Sequence, residues 1–146
     1  MNNNLDQIIL SIIDKKYPLV TNLANVSAIL KTSFKNTSWA GFYLVQDNTL
    51  FLGPFQGEVA CSVIEIGKGV CGTAFEIKET IIVDNVLEFK GHIACSSKSR
   101  SEIVTPIIKN NKVVAVIDLD SDLFNNYTKE DQLSLEKIST ILATLF

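Results

Sequence analysis

The 146-residue sequence predicts an α+β fold in which helices from both ends of the chain pack on one face of an antiparallel sheet. Three observations carry that prediction. Apolar residues at helical spacing open and close the chain, segments of period two fill its middle, and short turns join those segments in succession. The length fits one compact domain spanning 1–146.

Leu5, Ile8, Ile9, Ile12 and Ile13 form the apolar stripe of an amphipathic helix, which Pro18 ends. Leu23, Val26, Ile29 and Leu30 line a second helix that finishes near Lys31-Thr32-Ser33. From Trp39 the period drops to two, with Trp39, Gly41, Tyr43 and Val45 on one face and Ala40, Phe42 and Leu44 on the other. Asp47-Asn48 makes a turn, Leu50-Phe51-Leu52 returns as a strand, and Gly53-Pro54-Phe55-Gln56-Gly57 is a loop by composition. Ala60 to Ile66 reads as the next strand, broken at Gly67-Lys68-Gly69, and Val70 to Phe75 as a short helix. Thr80 to Val83 is a short β-branched strand. The aperiodic run from Asp84 to Arg100 is a long loop of the kind that usually carries function. Glu102–Ile108 and Val113–Asp120 pair through a turn at Asn110-Asn111. The closing helix starts at Thr128, an N-cap followed by Glu130 and Asp131 where the helix dipole favours acids, and continues through Ile138, Ile141, Leu142 and Leu145. The terminal helices are expected together on one sheet face, with the inserted helix and the long loop on the other.

Composition excludes several classes. At 47% hydrophobic and 20% charged the chain is of ordinary globular make-up, not disordered. A net charge of −3 without any Lys/Arg run argues against nucleic acid, and no apolar stretch is long enough to span a bilayer. The start, Met1 to Asp6, is polar and acidic, unlike a signal peptide, so the expected location is the cytoplasm. The three cysteines, Cys61, Cys71 and Cys95, cannot all pair within one chain, which leaves buried reduced thiols or thiol chemistry.

Alternation puts Asp118 and Asp120 on one face, in line with Val114 and Val116, while Ala115, Ile117 and Leu119 point the other way. Two carboxylates on an otherwise apolar face are costly unless solvated or paired, so either the strand emerges into solvent or they form an anionic pocket in which one acid keeps its proton. Glu102 opens the preceding strand, whose antiparallel pairing brings it beside them; its alternative partner is Arg100. Three converging carboxylates suit an ammonium group, or a magnesium or calcium ion. Cys61, Cys71, Cys95 and His92 offer zinc ligands, but their spacing lacks the close cysteine pair such sites use, and His92 reads as a structural residue of its loop. Trp39 and Tyr43 share a side of their strand, as core packing or as a pocket wall for a methyl or thioether group.

Taken in order, Trp39-Ala40-Gly41-Phe42-Tyr43, Gly53-Pro54-Phe55-Gln56-Gly57, Ala60-Cys61, Gly69-Val70-Cys71-Gly72-Thr73-Ala74, Gly91-His92-Ile93-Ala94-Cys95, Ser99-Arg100-Ser101-Glu102 and Ile117-Asp118-Leu119-Asp120-Ser121 resemble the free methionine-(R)-sulfoxide reductases, small stand-alone GAF-domain enzymes. The motifs run from Trp39 to Ser121 without a departure, and the flanking helices fit a GAF fold. The resemblance implies reduction of the R epimer of free methionine sulfoxide, with Cys95 as the cysteine that attacks sulfur, Cys61 as the principal resolving cysteine and Cys71 as a third that can take part in recycling. It implies Glu102, Asp118 and Asp120 as the acidic cluster and Trp39 and Tyr43 as the aromatic wall. It further implies no cofactor, thioredoxin as the reductant and a homodimer. Each residue type suits the chemistry: a neutral carboxylic acid to protonate the sulfoxide oxygen, a thiolate to attack, a second thiol to resolve the sulfenic acid, and acids to hold the ammonium of a free amino acid. The alternative is a non-catalytic GAF sensor of a small ligand or of redox state, which the match of all three cysteines and the lack of an output domain in these 146 residues weigh against.

Overall fold

Leu5–Ile12 (α1) and Leu19–Ser33 (α2) form the two expected amino-terminal helices in a computed structural model that describes residues 4–93 and 95–146. Met1, Asn2 and Asn3 of the polar start, and Ala94 of the Gly91–Cys95 motif, lie outside the described residues. The chain continues through β1 (Thr37–Gln46), β2 (Thr49–Gln56), β3 (Val63–Glu65), α3 (Gly69–Ile77), β4 (Ile81–Val83), a single 3-10 turn at Val86–Glu88, β5 (Ser101–Lys109), β6 (Lys112–Ser121) and α4 (Lys129–Ala143). The six strands make one antiparallel sheet in the order β3-β2-β1-β6-β5-β4, so the expected α+β class and GAF-like layering hold. Asp47-Asn48 and Asn110-Asn111 all take positive φ, the backbone that tight two-residue hairpins need and that Asn and Asp tolerate best after Gly.

One face of the sheet carries Ala40, Phe42, Ile103, Ile107, Ala115, Ile117 and Leu119 against buried residues of α1, α2 and α4, including Ile9, Leu23, Leu30, Leu135 and Leu142. At the start of α4, Thr128 Oγ1 accepts from the Asp131 N–H while an Asp131 carboxylate oxygen accepts from the Thr128 N–H, a reciprocal cap that fixes where the helix begins. The opposite face holds Trp39, Tyr43, Val104, Val113 and Val116 under Val70, Cys71, Ala74 and Phe75 of α3 and Val86 of the long loop. Among the described residues no helix is long and apolar enough to cross a membrane.

Three boundaries differ from the sequence expectation. Gly53 to Gln56 is strand, with Phe55 opposite Gly41 and Gln56 opposite Ala40, while Gly53 and Pro54 together face Phe42 in a bulge. Pro54 is accommodated because β3 pairs with β2 only as far as Phe51, so the outer edge of β2 is free there. Ala60, Cys61 and Ser62 are not strand, since β3 covers only Val63–Glu65. In β6 a bulge between Ile107 and Ile108 of the partner strand shifts the register, so Val113 lies with Val116 on the site face and Val114 packs on the helical side.

The seat of α3 is backbone-limited. A Cβ on Gly72 would collide with the Glu65 carbonyl oxygen and crowd the Gly67 backbone, neither of which is a flexible side-chain end. Gly72→Ala is therefore expected to destabilise the protein by roughly 1–3 kcal/mol, read as a lower urea midpoint at unchanged slope.

Candidate active site

The pairing of the three central strands assembles the site. Across the sheet Asp118 lies opposite Gly41 on one side and Val104 on the other, and Asp120 opposite Trp39 and Glu102. Gly41 keeps this floor open: a Cβ there would run into Phe55 and the Trp39 ring, which stack across it at 5.2 Å between centroids. Trp39 also stacks on Tyr43 at 6.1 Å, and both rings line a cleft. The polar tips of both rings do a second job that alternation could not show. Trp39 Nε1 donates to the Glu58 carbonyl (3.0 Å) and Tyr43 Oη to the Cys61 carbonyl (2.9 Å), so the wall pins the segment that presents Cys61.

Cys61 and Cys95 form a disulfide across 34 residues of chain, with Cα atoms 5.4 Å apart. Cys71 is free and buried on α3. The zinc set weighed from sequence thus does not come together, because two of its four members are joined to each other. Instead Cys71 Sγ and one carboxylate oxygen each from Glu102 and Asp118 lie within 4.8 Å of one another, a spacing that one cation could occupy. His92 lines the inner part of the cleft, and burial holds its imidazole below the usual range.

Among the described residues no cationic side chain pairs with Glu102, Asp118 or Asp120. Arg100 Nη1 donates to the carbonyls of Ser97 (2.9 Å) and Ser99 (3.0 Å), and Lys98 pairs with exposed Glu58 (3.0 Å), so the salt bridge considered for Glu102 is not among the described contacts. Glu102 and Asp118 are 6% and 5% exposed, and Asp118 Oδ1 has no hydrogen-bond donor among the described residues. Burial, then the charges of Asp118 and Asp120, push Glu102 well above the usual carboxylate range. Burial raises Asp118 to about 6, with the neighbouring Glu102 and Cys71 side chains pulling the other way. Asp120 is raised chiefly by burial and the charge of Asp118, against one hydrogen bond of 2.8 Å from Ser99 Oγ. Ser99 is a buried member of the site that received no role from sequence, although its motif stood out; only a partner across the sheet could reveal it.

The cleft has two lobes, of about 130 and 40 Å³, which share Tyr43, Cys95, Ser96, Ser99, Asp118 and Asp120. Cys71 and Glu102 line the inner lobe, and Trp39 and Val59 the outer. Larger open grooves of about 470 and 600 Å³ lie elsewhere and contain neither a cysteine nor a buried acid. A disulfide, carboxyls raised above their usual range and a pair of stacked aromatic rings around one small cleft are compatible with sulfur chemistry assisted by an acid.

A GAF domain family model matches residues 24–146. The chain is 50% identical over 124 residues to "GAF domain-containing protein A" of Dictyostelium discoideum, covering 84% of this chain and 78% of that protein. It is 44% identical over 149 residues to the free methionine-R-sulfoxide reductase of Saccharomyces cerevisiae, covering 94% and 83%. The X-ray structure of free methionine-R-sulfoxide reductase from Neisseria meningitidis in complex with its substrate superimposes with a TM-score of 0.89 at 39% identity, covering 97% of this chain and 83% of that one.

Proposed function

The chain belongs to the GAF-domain family and, within it, to the free methionine-R-sulfoxide reductases, and from that premise we propose that it reduces free L-methionine (R)-S-oxide to L-methionine by thiol chemistry. The observation that carries the reading is the Cys61–Cys95 disulfide beside a cleft lined by the buried Glu102 and Asp118 and the half-buried Asp120.

The reaction runs in three balanced steps. Cys95, as thiolate, attacks the sulfoxide sulfur; the oxygen, protonated by the acid cluster, passes to the cysteine as a sulfenic acid, and methionine leaves. The Cys61 thiol then attacks the sulfenic sulfur, forming the disulfide and expelling water. An external dithiol of the thioredoxin type reduces the disulfide and becomes a disulfide itself, returning both thiols. On this reading the structure corresponds to the state after resolution and before recycling.

The carboxylates also explain a preference for the free amino acid. A substrate α-ammonium supplies the cation that the cluster lacks, and a blocked amine leaves buried negative charge unpaired. The methyl and thioether groups are assigned to the Trp39–Tyr43 wall.

The test is NADPH consumption with thioredoxin and thioredoxin reductase, using the R and S epimers of the free sulfoxide separately. Turnover is expected with R alone, and N-acetylation of the substrate should lower kcat/KM by about 10²-fold or more. Failure of folded, reduced protein to form methionine from the R epimer, with thioredoxin or with dithiothreitol, would sink the proposal and leave a binding role.

A further inference from the structure

Cys71 is the one cysteine that the disulfide leaves free, and its surroundings are unlike those of a thiol placed for exchange. It is 3% exposed, on a helix whose approach to the Glu65–Gly67 backbone is limited by Gly72. Its Sγ lies 4.0 Å from Glu102 Oε1, at sulfur hydrogen-bonding distance, and its group and those of Glu102 and Asp118 fall within 4.8 Å of one another. Asp118 Oδ1 has no hydrogen-bond partner among the described residues, while Cys71 Sγ and a Glu102 carboxylate oxygen lie within 4.8 Å of an Asp118 carboxylate oxygen. Cys71 and Glu102 approach Asp118 from the inner lobe, whereas Asp118 borders both lobes.

We propose that Cys71 is a positioning residue: its thiol donates a hydrogen bond into the Glu102–Asp118 pair from behind, which keeps the acid proton of that pair on an oxygen facing the sulfoxide. This rests on the reductase reading above and gives Cys71 a duty other than recycling. No proton leaves the thiol during the cycle; it occupies one carboxyl oxygen so that the shared acid proton occupies another. Burial and the facing charges of Asp118, Glu102 and Asp120 push the Cys71 thiol up, which favours the S–H form that can donate over the thiolate that exchange requires.

Two measurements decide it. The first is single-turnover methionine formation by pre-reduced protein without thioredoxin. Cys71→Ala is expected to slow this step about tenfold or more at saturating substrate, with little change in the half-saturating concentration, and Cys71→Ser, which restores a donor, should recover most of the rate. A purely recycling thiol would leave single turnover untouched and depress only the thioredoxin-driven rate, equally in both variants; that result overturns the proposal. The second is the S–H stretching band of the oxidised protein, to which only Cys71 contributes, since the chain has three cysteines and two are bonded to each other. A band shifted down by hydrogen bonding, moving back toward a free thiol in Glu102→Gln, is expected. A band at the free-thiol position that ignores Glu102→Gln overturns the proposal, even if wild-type protein proves inactive and the reductase reading fails on its own.

Discussion

Cys95→Ser is expected to leave a folded protein whose rate of methionine formation is lower by roughly 10⁴-fold or more, because a serine hydroxyl at neutral pH supplies neither the anion nor the polarisable sulfur that attack on a sulfoxide needs. Cys61→Ser should behave differently. Its Cys95 remains competent, so one equivalent of methionine per chain is expected in a burst, after which turnover with thioredoxin stalls at the sulfenic acid. Dithiothreitol, which can attack that sulfenic acid directly, should restore cycling. Methionine released per chain, with a sulfenic-acid trap on Cys95, separates the two variants. Full multiple turnover by Cys95→Ser would assign the nucleophile elsewhere. Wild-type thioredoxin-driven turnover by Cys61→Ser, accompanied by a Cys71–Cys95 disulfide, would transfer the resolving role to Cys71 and bear on the inference drawn for it above.

Much of the fold was legible because its signals are local and periodic. Trp39 and Tyr43 on one face and Ala40 and Phe42 on the other follow from alternation in β1, and the Thr128 cap from a hydroxyl residue placed before two acids. The acid cluster was legible for the same reason: Asp118 and Asp120 are two apart on β6, and antiparallel pairing lays Glu102 beside Asp120. What alternation cannot register is an inserted residue. The bulge opposite Phe42 let Gly53 and Pro54 pass for a loop, and the bulge in the β5–β6 pair moved Val114 to the far face. Ala60 to Ile66 reads as strand in sequence, whereas β3 pairs only along Val63–Glu65 and the preceding segment is held by the side chains of Trp39 and Tyr43. Partners distant in sequence were equally hidden: Ser99 on Asp120, and Arg100 directed to carbonyls and not to Glu102. The Cys61–Cys95 pairing was reached through the resemblance, since three cysteines by themselves allow any pair.

Asp118→Asn is expected to make the protein more stable and nearly inactive, and the pH dependence of the first effect identifies its cause. The carboxyl ordinarily titrates near 3.8, and burial raises it to about 6 in the fold. Between those values the folded chain keeps a proton that the unfolded chain has released, so stability falls as pH rises through that window and stays lower above it. Glu102 and Asp120, shifted in the same direction, extend the loss to higher pH. Asparagine has no charge to desolvate, so at neutral pH the variant should gain on the order of 1–3 kcal/mol, roughly 5 °C in Tm, and the gain should shrink steadily toward pH 4 and vanish only below about pH 3, where the aspartate is protonated in both states. The same substitution removes a proton donor and a carboxylate facing the substrate, and kcat/KM should fall by roughly 10²–10³-fold. Thermal denaturation of both proteins from pH 4 to pH 8, beside kinetics at each pH, tests the pair of effects together. A variant that is inactive and also less stable at neutral pH would mean that Asp118 is held by a partner that repays its burial, and the view of the cluster as uncompensated acids awaiting a cationic substrate would have to be given up.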